Sequence, residues 1–585
     1  MRHATRVRAH LLVSLLYVLP VLWGLRSVLH EPERLAPVRL STMGSKLARL
    51  DRADERFVVG TTIATTRRLL DAPRSFLADG ACHPLPNPFT LGEHMIGESL
   101  LAVGPYLVWR DPLLAYNTVL ALSWWLAAVA MYALAFFWTR DVGAAFVAGL
   151  LFAFHPARLG DPGHPYLYAN QWLPLVLLFA HRTFAYARWS DALALAVLTS
   201  LQLLESFHRV LGLTIVALVY GSILLVRFRR DLPRLWPKLI FVVASVGLVA
   251  RLVFGPYLET RATFGVLAGR VPTLLFATDY LPRGSAWPGW ITLGLGTVGI
   301  VDRLRKWRPR DGYDPRWVLL LAGILVAWCS VRALPVPFSG PGLASPLLAL
   351  VGHLPGLDAV RTLGYVWFDT VLVAAFLAGY GVLCLTERLR PVFATAIVAA
   401  LVAGAALESN VPSLAQESFA GQATEAFAMG VNAEQRALYN QIAGGAVLDL
   451  PLRYDQRGAT HDVSYYVFLR AYHDQPAAAC YNSFLTPVQG KVAALAARLP
   501  DASATAALYA QGFRWIVVHD ELVAPDELAK LAPLFADRSR TELVASARHR
   551  AVLFKPELDP ARTYEQRLYR LSSPAAPSLP KDGPR

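Results

Sequence analysis

The sequence predicts a mainly α-helical, polytopic membrane bundle of about eleven spans with an α/β domain at its C-terminal end. Three observations predict it. Of 585 residues, 55% are hydrophobic and only 17% are charged, against about 25% charged in a soluble chain. Mean hydropathy is +0.39. Apolar runs of membrane-crossing length recur as far as residue 407, where the composition changes. This excludes disorder, which needs low hydrophobicity, and argues against a large soluble enzyme. The net charge of +14 would point to nucleic acid on a soluble protein. In a membrane protein, Lys and Arg mark cytoplasmic loops and anionic headgroups, so no nucleic-acid partner is expected. Four cysteines without a CxxC pair argue against a zinc ribbon or a disulfide scaffold.

The first span is residues 10–29, preceded by Arg2, Arg6 and Arg8. It is longer than a signal-peptide core, keeps Arg26 and lacks a small-residue cleavage site, so it reads as a retained anchor with its N-terminus inside. A long first outer loop covers 30–110, with 96–109 and 341–353 as candidate re-entrant or interfacial pieces. Further spans fall near 113–137, 142–155, 170–187, 191–206, 210–226, 239–256, 286–301, 317–334, 365–386 and 391–407. The positive-inside rule supports this threading, because Arg227, Arg229, Arg230, Arg234 and Lys238, then Arg303, Arg305, Lys306, Arg308 and Arg310, fall in inner loops. An odd number of spans leaves the C-terminal segment outside.

The expected domains are 1–407, a transmembrane unit; 408–570, an extracytoplasmic α/β domain; and 571–585, a Pro- and Ser-rich disordered tail. In the α/β domain, ALYNQIAGGAVLDLPLRY reads as helix, Gly-Gly turn and buried strand. Residues 490–510 are helical with a break at Pro500, FRWIVVHD (513–520) is a central strand, and LVASA with AVLFK forms a closing hairpin. Cys82 and Cys480 both fall outside and are expected as free thiols, a bridge between them being the alternative.

The polar chemistry collects in the outer loops. Asp54-Glu55 sits in RADERFVVGTTIATTRRLL, read as the start of a helix. Two readings stand: a helix-dipole partner, or a carboxylate that takes an acceptor proton or holds a divalent cation. Glu93-His94 either orients a substrate or caps the next helix. FHPARLGDPGHPYLYANQWLPL gathers His155, Arg158, His164, Tyr166, Asn170, Gln171 and Trp172 within eighteen positions. Its histidines, nine apart, do not match zinc spacing. Glu205, His208 and Arg209 close another span, and Arg361 in LPGLDAVRTLGY is placed to clamp a phosphate. Ionisable residues at span ends are functional candidates, and their convergence on one face is the signal. No P-loop, Rossmann fingerprint, GxSxG or HExxH occurs, and GLGTVG (294–299) is packing glycine inside a span.

The block from Ala78 to Leu178 resembles bacterial polytopic proteins of the GT-C glycosyltransferase superfamily, in particular the YfhO-like branch. The matching stretches here are HPLPNPFTLGEHMIG, DPLLAYN, AGLLFAFHPAR and QWLPL, with LPGLDAVRTLGYVW, VLDLP and FRWIVVHD further on. Arg361 matches the first of two family arginines, and Tyr365 replaces the second. The resemblance implies transfer of a sugar from a polyprenyl-phosphate donor to a glycan, lipid or protein acceptor on the outer face, without a nucleotide. It implies a general base in the first outer loop, matched by Asp54 with Glu55 second, although Ala53 stands where the branch usually has Gly. Glu93, His94, His155, Arg158, His164, Gln171, Glu205, His208, Arg209 and Arg361 would then form the substrate-binding rim. No cofactor is assigned beyond a possible divalent cation on Asp54. The rival expectation is a non-catalytic transporter, assembly protein or glycan-binding protein on the same scaffold.

Overall fold

The computed structural model describes residues 2–38, 44–73, 80–265, 273–282, 284–305, 314–334, 342–350, 353, 360, 362–410, 425–455, 458–459, 461–482, 485–550 and 562–573. The chain is an integral membrane protein of mainly helical architecture. Seven helical segments among the described residues are long and apolar enough to cross a membrane: Val7–Gly24, Pro112–Thr139, Val142–Gly160, Phe207–Arg227, Arg229–Phe264, Leu363–Thr386 and Pro391–Ser409. The other four expected spans are shorter helices: Leu173–Tyr186, Trp189–Leu203, Trp290–Arg305 and Pro315–Ser330. Their loops turn early, at Ala187 in the left-handed region and at the Glu205-Ser206 junction between two helices. Several starts are written into the sequence. Asp111, Asp141 and Asp314 accept from Leu114, Ala144 and Arg316 backbone N–H groups, satisfying donors that a helix start leaves free. In the GLGTVG run, a Cβ on Gly299 would meet the Leu377 carbonyl at 2.5 Å, as the packing reading requires.

Helix Gly44–Asp71 runs through the first loop. It begins ten residues before Asp54, so the carboxylate pair is mid-helix and the dipole reading of Asp54-Glu55 falls. It crosses helix His461–His473 of the C-terminal unit at Gly60, where a Cβ would lie 2.5 Å from the Val467 carbonyl. Only a glycine permits that approach.

Strand β1 (Leu35–Val38) pairs antiparallel with β2 (Glu425–Ala428), tying the end of the anchor to the start of the α/β unit. The unit's sheet has strands β3 (Ala446–Leu450), β4 (Phe513–His519), β5 (Thr541–Arg550) and β6 (Thr563–Leu571) in the order β3-β4-β6-β5. β3 and β4 are parallel, and the remaining pairs are antiparallel. FRWIVVHD is therefore central, flanked on both sides, and its apolar run is buried. The expected hairpin is half right. LVASA lies in β5, but its partner is β6, and AVLFK lies outside the described residues. The last strand includes Leu571, the first residue expected in the tail. One apolar core joins bundle and unit, running through Val21, Tyr116, Val58, Val467 and Val517.

Candidate functional site

Asp54 leaves its helix toward the junction of bundle and α/β unit, with its side chain 36% exposed. Its Oδ1 accepts from the Tyr481 hydroxyl at 2.8 Å, and its Oδ2 lies 3.2 Å from His164 Nε2. His164 Nδ1 lies 2.8 Å from Asp161 Oδ1. Both ring nitrogens thus face carboxylates and both donate. Burial opposes the charge on His164, but Asp161, Tyr166 and Asp54 outweigh it and hold its pKa well above the usual imidazole value. Glu55, the next residue, points into the core and is fully buried. It has no access to a substrate, so of the carboxylate pair only Asp54 faces the open side.

The FHPARLGDPGHPYLYANQW segment winds as a short helix, Pro156–Gly160, and a 3-10 turn, Pro165–Leu167. This winding points its polar side chains inward. Arg158 donates to the Tyr168 carbonyl at 2.9 Å and to the Asn170 side-chain oxygen. Asn170 Nδ2 donates to Asp369 Oδ1 at 2.9 Å, and Arg209 Nη1 donates to the same oxygen at 3.1 Å. Arg209 also donates to the Tyr365 carbonyl. The Tyr168 hydroxyl, at 3.3 Å from Asp161 Oδ2, links this chain to the His164 carboxylate. The space left among Arg158, Asp161 and Tyr168 is about 10 Å³, close to the minimum for one water.

A second acid–base pair stands at the start of helix Phe207–Arg227. Ser206 caps it by accepting from the Arg209 N–H, and donates its own hydroxyl to the Tyr166 carbonyl at 3.0 Å. Glu93 accepts from the Phe207 N–H at 2.8 Å and lies 2.6 Å from His208 Nδ1. Burial pushes the Glu93 carboxyl up, but His208 more than cancels that and holds it below its usual range. Glu93 does act as a cap, though on this helix and not on the one following it in sequence. His94 is buried beside Phe207 and Phe254, and burial lowers its pKa to about 4. Glu205 Oε1 accepts from Gln171 Nε2 at 2.7 Å and from the Trp172 indole at 2.6 Å.

The structure brings together most of the expected residues, but as an internal network and not as an open rim. His155 is spent within the fold: Nδ1 accepts from the Ala157 N–H at 3.2 Å and Nε2 lies 3.1 Å from the Trp287 carbonyl. Arg158 and Arg209 are 3% and 1% exposed, so neither reaches a ligand directly. The reason is physical, since a charge inside an apolar bundle needs a fixed partner. Asp54 keeps partial access, whereas the His208–Glu93 pair, at 10% and 14% side-chain exposure, is largely enclosed. Arg361 lies outside the described residues. Sequence reasoning did not select Asp161, Asp369, Tyr481 or Glu98. Asp161 stands three before His164, and Asp369 and Glu98 are lone acids in the first turn of apolar helices; those signals were available, whereas Tyr481 carries none. Among the described residues no three His, Cys, Asp or Glu side chains gather in a metal-holding group. A cleft of about 630 Å³ lined by Arg34, Asn432 and Arg436 contains none of the expected site residues.

Cys82 and Cys480 are joined in a disulfide, correcting the expectation of free thiols. Backbone bonds from Cys82 N to Ala479 O (2.9 Å) and from His83 N to Ala477 O (2.8 Å) bring the two segments side by side, a pairing invisible across 398 positions.

His164 gives a pH prediction. A group whose folded pKa is raised contributes stability that is fully present below its unfolded value, 6.5 for imidazole, and is lost as pH rises through the folded pKa. The melting temperature is therefore expected to be highest at or below that pH and to fall on the alkaline side, with the fall reduced in His164→Gln. Parallel melting profiles for the two proteins would rule out this pairing.

Two solved structures are similar to this chain over nearly its whole length. ArnT from Cupriavidus metallidurans in the apo state shares 13% identity at a TM-score of 0.47, covering 98% of this chain and 99% of its own. ArnT from Cupriavidus metallidurans bound to undecaprenyl phosphate shares 13% identity at a TM-score of 0.45, covering 96% and 97%. No family model and no curated protein matches the sequence.

Proposed function

We propose that the protein is an integral membrane glycosyltransferase that moves a sugar from a polyprenyl-phosphate donor to a glycan, lipid or protein acceptor on the extracytoplasmic face. The observation that carries this reading is Asp54. It is a partly exposed carboxylate, held by donors on both oxygens, at the end of the bundle where the polar network collects. The opposite end carries the exposed basic residues Arg227, Arg229, Arg230 and Arg234, which supports placing that end in the cytoplasm and the Asp54 end outside.

Asp54 takes the proton from the acceptor hydroxyl as its oxygen attacks the anomeric carbon. The bond from that carbon to the phosphate oxygen breaks, and polyprenyl phosphate leaves with the electron pair. His164 and Tyr481 fix the carboxylate through the step. His208, buried beside Glu93 at the mouth of the network, is the described group assigned to the lipid phosphate, and Arg361 keeps its phosphate assignment on sequence grounds. The internal Arg158–Asn170–Asp369–Arg209 chain makes the wall rigid.

The test is turnover. Purified protein in proteoliposomes is given radiolabelled polyprenyl-phosphate sugars and a membrane extract as acceptor source. Release of polyprenyl phosphate with label moving to an acceptor is the expected result. Donor that stays intact across the common sugars would sink the reading.

A further inference from the structure

We infer that Tyr481, held in place by the Cys82–Cys480 disulfide, is a positioning residue for Asp54, so that the C-terminal α/β unit completes the candidate site. The inference rests on Asp54 as the reacting carboxylate, but its geometry stands separately.

Asp54 belongs to a helix of the first loop, and its two carboxylate oxygens are held from two distant parts of the chain. His164 comes from the segment between two bundle helices, and Tyr481 comes from the α/β unit. The Tyr481 ring packs 5.7 Å from the Phe57 ring, one helical turn after Asp54. The hydroxyl thus meets the carboxylate while the ring rests on the same helix face. Two donors on different oxygens fix the plane of a carboxylate as well as its position. Loss of orientation is costly to a proton-transfer group.

Tyr481 is placed by what precedes and follows it. Cys480 is bonded to Cys82, and both are fully buried. Three backbone hydrogen bonds, Cys82 N to Ala479 O, His83 N to Ala477 O and Ala477 N to Gly80 O, stitch the two segments around the bridge. Asn482 Nδ2 lies 3.4 Å from Cys82 Sγ and 3.6 Å from Cys480 Sγ. Its Oδ1 sits 2.8 Å from where a Cβ on Gly92 would be, beside Glu93, which holds His208. One fastened segment therefore touches Asp54 on one side and abuts the loop of the second acid–base pair on the other. No other covalent link joins the loop after helix Gly44–Asp71 to the α/β unit among the described residues.

The experiment is carboxyl labelling of the full-length protein in detergent micelles. A water-soluble carbodiimide with an amine nucleophile is used, and modification at Asp54 is followed by mass spectrometry against the exposed Asp501. Tyr481→Phe keeps the ring on Phe57 and removes only the hydroxyl. Asp54 is expected to label about threefold faster than in the wild type, with Asp501 unchanged, and the Cys82→Ser/Cys480→Ser double variant is expected to show the same change. Where sugar transfer is measurable, Tyr481→Phe lowers kcat by about tenfold with KM little changed. Wild-type labelling of Asp54 in Tyr481→Phe overturns the inference, whatever the double variant does. Faster labelling in a protein whose wild type transfers no sugar keeps the positioning role and removes the transferase reading.

Discussion

Asp54→Asn is expected to abolish sugar transfer while leaving the fold intact. A positioned general base contributes about 10²–10⁴-fold to rate, and an amide cannot accept the acceptor's proton. The substitution is nearly isosteric. Its amide oxygen can still accept from Tyr481, which donates to Oδ1 in the native protein, and the side chain is partly exposed, so desolvation costs little. The loss should appear in kcat, with melting temperature close to wild type apart from the weakened His164 contact. Glu55→Gln is the matched control. Glu55 is fully buried one residue along the same helix, and its substitution should affect stability and not the chemical step. Full activity in Asp54→Asn would end its assignment as base. Equal activity losses in both variants would mean that the helix, not the carboxylate, is what matters.

The bundle was legible because burial in a membrane writes itself as apolar runs, and every expected span appears as a helix. Seven of them reach full crossing length. The shortfall has a local cause. The expected run 191–206 extends past its last apolar residue, Leu204, whereas the helix stops at Leu203 and Ser206 caps the next one. The central strand FRWIVVHD was equally legible, since an apolar run between turn signals suits a strand covered on both faces. Its neighbour in the sheet was not. TYEQRLYRL interleaves Glu, Gln and Arg with its apolar residues, so composition does not single it out as a strand flanked on both sides. At the site, the sequence marks charged residues but not whether each is open or enclosed. Arg158, Arg209 and His155 announce themselves as charges at span ends, and sequence alone cannot tell an open rim from an internal network. The deciding partners are remote: Asp369 lies 160 positions from Arg209, and Tyr481 lies 427 from Asp54. Helix Gly44–Asp71 shows the same limit. Its early start moved Asp54 from a helix end to mid-helix, and its place was set by the Gly60 crossing with a helix more than 400 residues later.

The largest stability effect is expected at Asp369. Its Oδ1 accepts from Arg209 and from Asn170, and Asn170 in turn accepts from Arg158. The side chains of Arg209 and Asp369 are 0% and 1% exposed. Asp369→Ala leaves the Arg209 guanidinium in an apolar interior without its carboxylate. Breaking a buried pair from one side costs about 3–5 kcal/mol, a large share of the roughly 5–15 kcal/mol by which folded domains are stable. Folded yield and melting temperature in detergent should both fall sharply. The double variant Asp369→Leu/Arg209→Met removes both charges and keeps apolar volume, so it should recover much of the loss, because exchanging a whole buried pair for packed hydrophobic groups is often neutral. The coupling energy of that cycle is the quantity to measure. If the pair serves only to brace the wall behind Asp54, the recovered double variant should also transfer sugar, at a rate limited by how well Asn170 still holds Arg158. A double variant that is stable but inactive would mean that the charges at Arg209 and Asp369 act on the substrate through the wall and are not mere struts. A single variant that melts like the wild type would show that the charges find other partners, and the internal network would lose its role as the rigid element of the site.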